Sequence, residues 1–469
     1  MRVCLLTCFA FMSCADVVEH GAPVSLTLRT SCDPDAPPLA ADGWRVRAKV
    51  KLPPNEGPPA GFEGGVWERT FPTFPQSIAL PVTTDAVLTF EALEGGVVIG
   101  RGASTHIAVT GPTPDSVVID VFPVGRITRQ CGALATARSG HSATQLADGT
   151  VLIAGGRDSD GVVLSSMERI SRTIEARKEL SIVGSGTRFL LPRAFHSAVL
   201  TESGQVLFAG GENTAPMGAT AVLSTLLLYD LDADDFGAIP TGLARWTGRT
   251  RHTAVLHAGR VYFAGGVSSV NGALLATTEI DRFVLATNTF DPPLQLTDAR
   301  DEAAIINTGA ELVLAGGTEQ GQPSRTVRIG ALDSTTVRTA QLLEARAAAF
   351  AVKLGEGVLI GAGVGSGSTF LTSSEWLQGA AGPPVTPRSK PCAVSLPTGA
   401  FVFGGVDGFA ASGAAEWFDA QGNKTDVPFS GDRRFDHTCT ALEDGSVLIV
   451  GGRNPSGALN DLWRFVPPQ

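Results

Sequence analysis

Among its 469 residues the chain carries 46 acidic and 36 basic side chains, and the imbalance holds on both sides of Gln130, at 13 to 10 before it and 33 to 26 after. A net charge of -10 spread in this way offers no basic surface to nucleic acid. Fifty-five glycines and only 17% charged residues suit tight turns and buried strands, and seven cysteines are too few for a disulfide scaffold of this length while fitting an exported protein.

Residues 1–21 read as an export signal. Met1-Arg2 precedes an apolar run from Val3 to Met12, shorter than a bilayer span and placed like a secretory core region. Phe11-Met12-Ser13-Cys14 resembles a bacterial lipobox, with Phe11 where Leu is usual. Cys14 is therefore the expected lipid-bearing residue, and ordinary signal cleavage is the alternative. No later segment has the apolar length of a membrane helix, so a lipid on Cys14 is the only membrane attachment expected. The protein is expected to be exported, and then anchored to the cell envelope or secreted.

Residues 22–126 have no internal repeat and gather proline at Pro53-Pro54, Pro58-Pro59 and Phe71-Pro72-Thr73-Phe74-Pro75. Alternating segments lie between, including Val24 to Leu28, WRVRAKVKL from Trp44 to Leu52, Val87 to Ala92 and Val117 to Phe122. Short strands over about one hundred residues predict a small β-sandwich of immunoglobulin-like shape, without the Cys-Trp-Cys spacing of antibody domains.

From residue 127 to 469 one unit recurs. In HSATQLADGTVLIAGG, His141 to Gly156, an alternating strand meets an Asp148-Gly149 hairpin turn, then an unbroken apolar strand, then a glycine doublet. Six further versions end at Gly211, Gly266, Gly317, Gly363, Gly405 and Gly452, with steps of 55, 55, 51, 46, 42 and 47 residues between doublet ends. That period is four short strands, and a sheet so small buries both faces only within a closed ring, which predicts a seven-bladed β-propeller. Third strands follow at Ser166 to Ile170, Thr225 to Asp230, Thr278 to Phe283, Arg325 to Ile329, Ser374 to Leu377, Ala415 to Asp419 and Leu459 to Phe465. The last blade is one strand short, and residues near Gly125 to Cys131 are expected to complete it and remove the open edges.

These residues resemble the Kelch repeat family, in a bacterial form related to the central propeller of galactose oxidase-like proteins. The resemblance covers about 70% of the chain. It rests on the glycine doublets, on third strands with a carboxylate ahead of an aromatic (Glu279 before Phe283, Glu375-Trp376, Glu416-Trp417, Asp461 before Trp463), and on an arginine before each first strand. Gly361-Ala362-Gly363 departs from the doublet pattern, and blade four lacks the third-strand aromatic. The arginines are Arg138, Arg193, Arg249, Arg300, Arg346, Arg388 and Arg434, followed three residues later by His141, His196, His252 and His437 in four blades. Strand parity puts them on the face that also carries the longer insertions, Arg157 to Ser165, Glu212 to Ser224 and Val267 to Thr277. The resemblance implies that this face recognises a partner. A series repeated once per blade also has a structural reading, as hydrogen bonding internal to the repeat.

The chemistry is mostly absence. The copper site of galactose oxidase needs two tyrosines, two histidines and a crosslinked cysteine, whereas this chain has only Tyr229 and Tyr262, both inside repeats. Four histidines in four blades have no HExxH or finger spacing, so no metal is expected, and no cofactor. Gly363 to Gly367 is glycine-rich without a following helix and reads as a loop. Cys32 with Cys131 is a candidate disulfide between the two domains. Cys392 and Cys439 each stand twelve residues before their doublet and read more readily as small buried residues than as a bridge. Two functions are expected from different classes. One is a non-catalytic scaffold binding a protein or glycan through the propeller face. The other is a sugar-modifying enzyme of the sialic-acid mutarotase kind, with Glu212 and Arg193 or Arg249 near the axis. A deep axial pocket holding one carboxylate of raised pKa favours the second, and a broad repeated surface the first.

Overall fold

Period-two burial builds the N-terminal unit. Along Gly43–Val50 the residues Trp44, Val46, Ala48 and Val50 face inward, while Arg45, Arg47 and Lys49 between them face outward. The computed structural model describes residues 22–468 apart from 31–38, 52–64, 82, 105, 110–114, 171–177, 181–190, 215–219, 232, 234, 240–245, 271, 333–335 and 409. The segment expected to be an export signal, with Cys14, and Cys32 lie outside the described residues.

Eight strands form this unit: β1 (Ala22–Thr30), β2 (Gly43–Val50), β3 (Val66–Phe71), β4 (Ser77–Leu80), β5 (Thr83–Glu94), β6 (Val97–Ala103), β7 (Ile107–Val109) and β8 (Asp115–Pro123). Hydrogen bonding runs without a break in the order β3-β2-β5-β6-β8-β1-β4, with β7 also on β5. The strands of the expected β-sandwich are hydrogen-bonded along one continuous path and enclose a single core that includes Val24, Leu26, Trp44, Leu88, Phe90, Ile119 and Val121. Enclosing it bends the path, and the bend has a local cause. The twelve-residue β5 breaks register at Ala92/Leu93 against β6 and again between Thr83 and Ala86 against β7.

The rest of the described chain is a seven-bladed β-propeller. Each blade begins with an inner strand, from Ser142–Gln145 in blade one, through Ser197–Leu200, Thr253–His257, Ala304–Asn307, Phe350–Leu354 and Cys392–Leu396, to Thr438–Ala441 in blade seven. Second strands such as Val151–Ala154, Val206–Ala209 and Val447–Val450 are buried at every position, as their unbroken apolar runs require. Hydrophobic clusters fill the seams between blades. Leu152, Ala154 and Met167 of blade one meet Val206, Phe208 and Tyr229 of blade two, and Val151 and Ile153 meet Leu448, Val450 and Leu462 of blade seven on the other side. No blade buries its faces alone, and the ring does so for all seven.

Closure comes from β9 (Ile127–Ala133), which pairs antiparallel with Asp461–Phe465 and sets Arg129 opposite Trp463 and Ile127 opposite Phe465. The N-terminal unit joins the ring beside this strand. Gly125 N–H donates to the Val466 carbonyl at 2.7 Å, the Arg464 guanidinium lies over the Phe122 ring at 5.2 Å, and His106 Nε2 is 3.2 Å from Glu443 Oε2.

Cys392 and Cys439 form a disulfide across the seam between blades six and seven, with 5.8 Å between Cα atoms, which corrects the expectation of two unbridged residues. Counting back from the doublets put the two at the same position, but the hairpin of blade seven is one residue longer. By register, Cys392 lies opposite Phe403 next to its doublet, where blade seven has Thr438 opposite Val450. Cys439 is one residue further on, and a single step turns a strand side chain to the other face. The two sulfurs therefore look at each other from facing blades. Cys131 is also disulfide-bonded.

Candidate axial site

The seven arginines are the framework of the site. Arg138, Arg193, Arg249, Arg300, Arg346, Arg388 and Arg434 are all buried, at 3% exposure or less. Guanidinium Nη1 donates to the carbonyl of the first doublet position in blade after blade: Arg138 to Gly155 at 2.8 Å, Arg193 to Gly210 at 3.0 Å, Arg300 to Gly316 at 2.9 Å, Arg346 to Ala362 at 2.9 Å and Arg434 to Gly451 at 3.0 Å. The other end of the fork meets a third-strand carboxylate, as in Arg138–Glu168 at 2.8 Å, Arg346–Glu375 at 2.9 Å, Arg388–Glu416 at 2.7 Å and Arg434–Asp461 at 2.7 Å. In blade three that carboxylate is Asp281, not Glu279, because the strand shifts register between Thr277 and Glu279 and again between Ile280 and Arg282. Blade two has none, since Leu227 stands opposite Phe208 where Glu168 stands opposite Ile153, and burial lowers the Arg193 pKa to about 10; in blade four Arg300 turns instead to Asp298 and to Glu319 at 3.2 Å. The expected display of these arginines to a partner is corrected by their burial.

The histidines are internal as well. Each reaches back across a seam to the first strand of the preceding blade: His196 Nε2 to Ser142 Oγ at 2.9 Å, His252 to Ser197 at 2.8 Å, His437 to Cys392 Sγ at 3.0 Å, and His141 to Thr438 Oγ1 at 3.0 Å. Burial, followed by the charge of the arginine three residues earlier, lowers the pKa of His141, His252 and His437 to about 3, and that of His196 well below its usual value. Cys392, His437 and Cys439 bring metal-binding atom types within 4.8 Å, but the ligand form of cysteine is the thiolate, and here the two sulfurs are bonded to each other.

Between each arginine and the histidine position lies a residue that sequence reasoning passed over. Gly140, Phe195, Arg251, Glu302, Ala348, Lys390 and Asp436 all have positive φ, from +50° to +61°. Six of them are not glycine, so each stores roughly 1 kcal/mol or more of backbone strain, a cost that concentrates at functional sites. They form a crown around the propeller axis, with main-chain N–H groups donating to the crown carbonyl of the blade before: Gly140 to Asp436, Phe195 to Gly140, Arg251 to Phe195, Ala348 to Glu302, and Lys390 to Ala348, at 2.7–2.9 Å. The circuit is open at two places. Glu302 N–H turns to Asp301 Oδ1 at 2.8 Å instead of to Arg251, and Asp436 N–H makes no bond to Lys390 among the described residues.

Inside the crown is a pocket of about 420 Å³. Six of the seven crown residues line it, together with Thr253, Asp301, Ala303, Ile305, Ala349 and Phe435. It is displaced toward the blades that lack the histidine, where Ala303 and Ala349 stand at the histidine position. That interruption of the Arg-x-x-His series is the signal in the sequence that marks the pocket.

Charge in the pocket is mixed. Lys390 Nζ meets Glu302 Oε1 at 2.5 Å. Arg251 is half-exposed, lies over the Phe195 ring at 5.3 Å and comes no nearer than 3.8 Å to Glu212. Asp436 has no side-chain hydrogen bond among the described residues, and its pKa is raised by burial. Glu212 is not paired with Arg193 or Arg249, which corrects that expected constellation. Its carboxylate accepts from Arg157 at 3.0 Å and from Thr250 Oγ1 at 3.1 Å.

Comparison with known proteins finds no matching family model and no matching curated protein. Among solved structures, that of YjhT is similar with a TM-score of 0.48 and 14% identity, over 63% of this chain and 99% of YjhT.

Proposed function

We propose that this protein is a binding propeller of the cell envelope or its surroundings that recognises a small polar molecule, or the exposed end of a glycan or protein chain, in the axial pocket. The observation that carries the reading is the crown, six strained non-glycine residues facing one cavity of about 420 Å³, a size within the range of ligand sites. Strain of that extent is repeated at the axis and, among the described residues, nowhere else in the blades at the same density, and such strain clusters at functional sites. The reading keeps the face expected from strand parity and puts the crown in place of the arginines and histidines.

A second reading rests on Asp436. A half-buried carboxyl of raised pKa facing a pocket is suited to proton transfer, so sugar modification remains the alternative, with Asp436 in the part first assigned to Glu212. A pull-down and glycan-binding screen with the full exported chain tests both, using wild type, Ala349→Trp to fill the pocket, and Arg157→Ala on the same face as control. A partner retained by wild type and the control but lost with Ala349→Trp supports pocket recognition. Equal retention by all three removes it. Turnover of a bound sugar that stops with Asp436→Asn moves the protein to the enzyme class.

A further inference from the structure

We propose that the axial pocket is built for a zwitterion of amino-acid type, with the carboxylate of the ligand on Arg251 and its ammonium group on Asp436. The inference rests on the pocket being the recognition site and names the class of molecule it takes. Ring order supplies the geometry. Crown positions follow the blades, so Arg251 in blade three and Asp436 in blade seven stand on nearly opposite sides of the axis. Lys390 and Glu302, two blades apart, neutralise each other in a direct ion pair spanning the position of Ala348. Their pairing removes one charge of each sign and leaves Arg251 across the axis from Asp436, with Asp301, whose Oδ1 accepts the Glu302 N–H at 2.8 Å, as a second carboxylate on the wall.

Both poles are short of partners. The Arg251 guanidinium rests on an aromatic face and reaches Glu212 only at 3.8 Å, beyond hydrogen-bond distance. Asp436 has no side-chain hydrogen bond among the described residues. A planar guanidinium is the side chain best matched to a carboxylate, and a carboxylate with vacant lone pairs is matched to an ammonium group. A singly charged ligand would satisfy one pole and desolvate the other, whereas a zwitterion satisfies both. Apolar walls from Ile305, Ala303 and Phe435 leave room for a modest side chain.

Calorimetry on the full chain tests this with probes of defined charge: a set of free L-amino acids and glycylglycine as zwitterions, L-alanine amide as cation, propionate as anion, and N-acetylglucosamine as neutral sugar. At least one zwitterion should bind roughly tenfold or more tightly than both singly charged probes, about 1.4 kcal/mol. Arg251→Gln should remove its advantage over the cation, and Asp436→Asn its advantage over the anion. Both side chains are polar and outside the blade cores, and circular dichroism checks that the variants stay folded. Two results overturn the proposal. One is no zwitterion binding, or zwitterion binding indifferent to both substitutions. The other is binding of the neutral sugar, lost on filling the pocket with Ala349→Trp, which keeps the recognition site and rejects this ligand class. Failure of all probes together with equal partner retention by wild type and Ala349→Trp rejects both.

Discussion

Mild acid should loosen the ring, and the four seam histidines set by how much. Each is buried neutral, with a pKa of about 3 for His141, His252 and His437 and well below its usual value for His196, against about 6.5 in the unfolded chain. A depressed folded pKa means that the unfolded state takes up the proton first, so the stabilisation is complete above pH 6.5 and is lost as pH falls toward 3. At pH 5.5 each histidine costs about 1.4 kcal/mol and four cost about 5.6 kcal/mol, while at pH 7 their combined effect is under about 1 kcal/mol. Asp436, with its pKa raised, works in the opposite direction, and one carboxyl does not offset four imidazoles. Urea unfolding followed by tryptophan fluorescence at pH 7.0 and 5.5 measures the difference directly. His252→Gln, which keeps a polar group near Ser197, should reduce the pH dependence by about a quarter. A loss of less than about 1 kcal/mol between the two pH values would falsify the account of these histidines as buried neutral bolts.

The Arg388–Glu416 pair is wholly buried, and Glu416 also accepts from Thr386 N–H at 2.7 Å. Glu416→Gln should cost roughly 3–5 kcal/mol in the same unfolding assay, and an apolar double replacement, Arg388→Met with Glu416→Leu, should recover most of it. A single variant as stable as wild type would show that the pair does not hold the blade. The Cys392–Cys439 disulfide closes a separation of 47 residues, for which loop entropy gives about 4 kcal/mol. The Cys392→Ser, Cys439→Ser variant should lose stability of that order, and an unchanged urea midpoint would count against the disulfide as a tie between the blades.

How much of this could be read from residues alone depended on whether a feature was periodic. Seven doublets, their spacing and the missing strand of blade seven are properties of a repeat, and each names a backbone geometry, so the propeller and its closure by β9 were legible. Glu279 and Cys392 show where counting fails. A bulge in blade three and one extra hairpin residue in blade seven move a side chain to the neighbouring register, and neither changes the composition of the repeat. The arginines misled in another way. An arginine is usually a surface residue, and only the carbonyl of the doublet and the third-strand carboxylate make its burial tolerable. The crown was hidden because its members share a conformation and no chemistry: glycine, phenylalanine, arginine, glutamate, alanine, lysine and aspartate occupy one backbone state at seven equivalent places.

Strand β9 joins residues near 130 to residues near 463, so the last blade is stitched from both ends of the propeller sequence. A chain emerging in order from the ribosome completes six blades while the strand the last one must meet waits ahead of the first. The ring is an open crescent until residue 465 arrives, and only then do blades one and seven bring Gly140 and Asp436 together across the final gap. The pocket therefore comes into being in the closing step, and no partly synthesised chain has it. A truncation ending before Asp461 would carry every residue that lines the axial pocket and lack the strand that closes the ring around it.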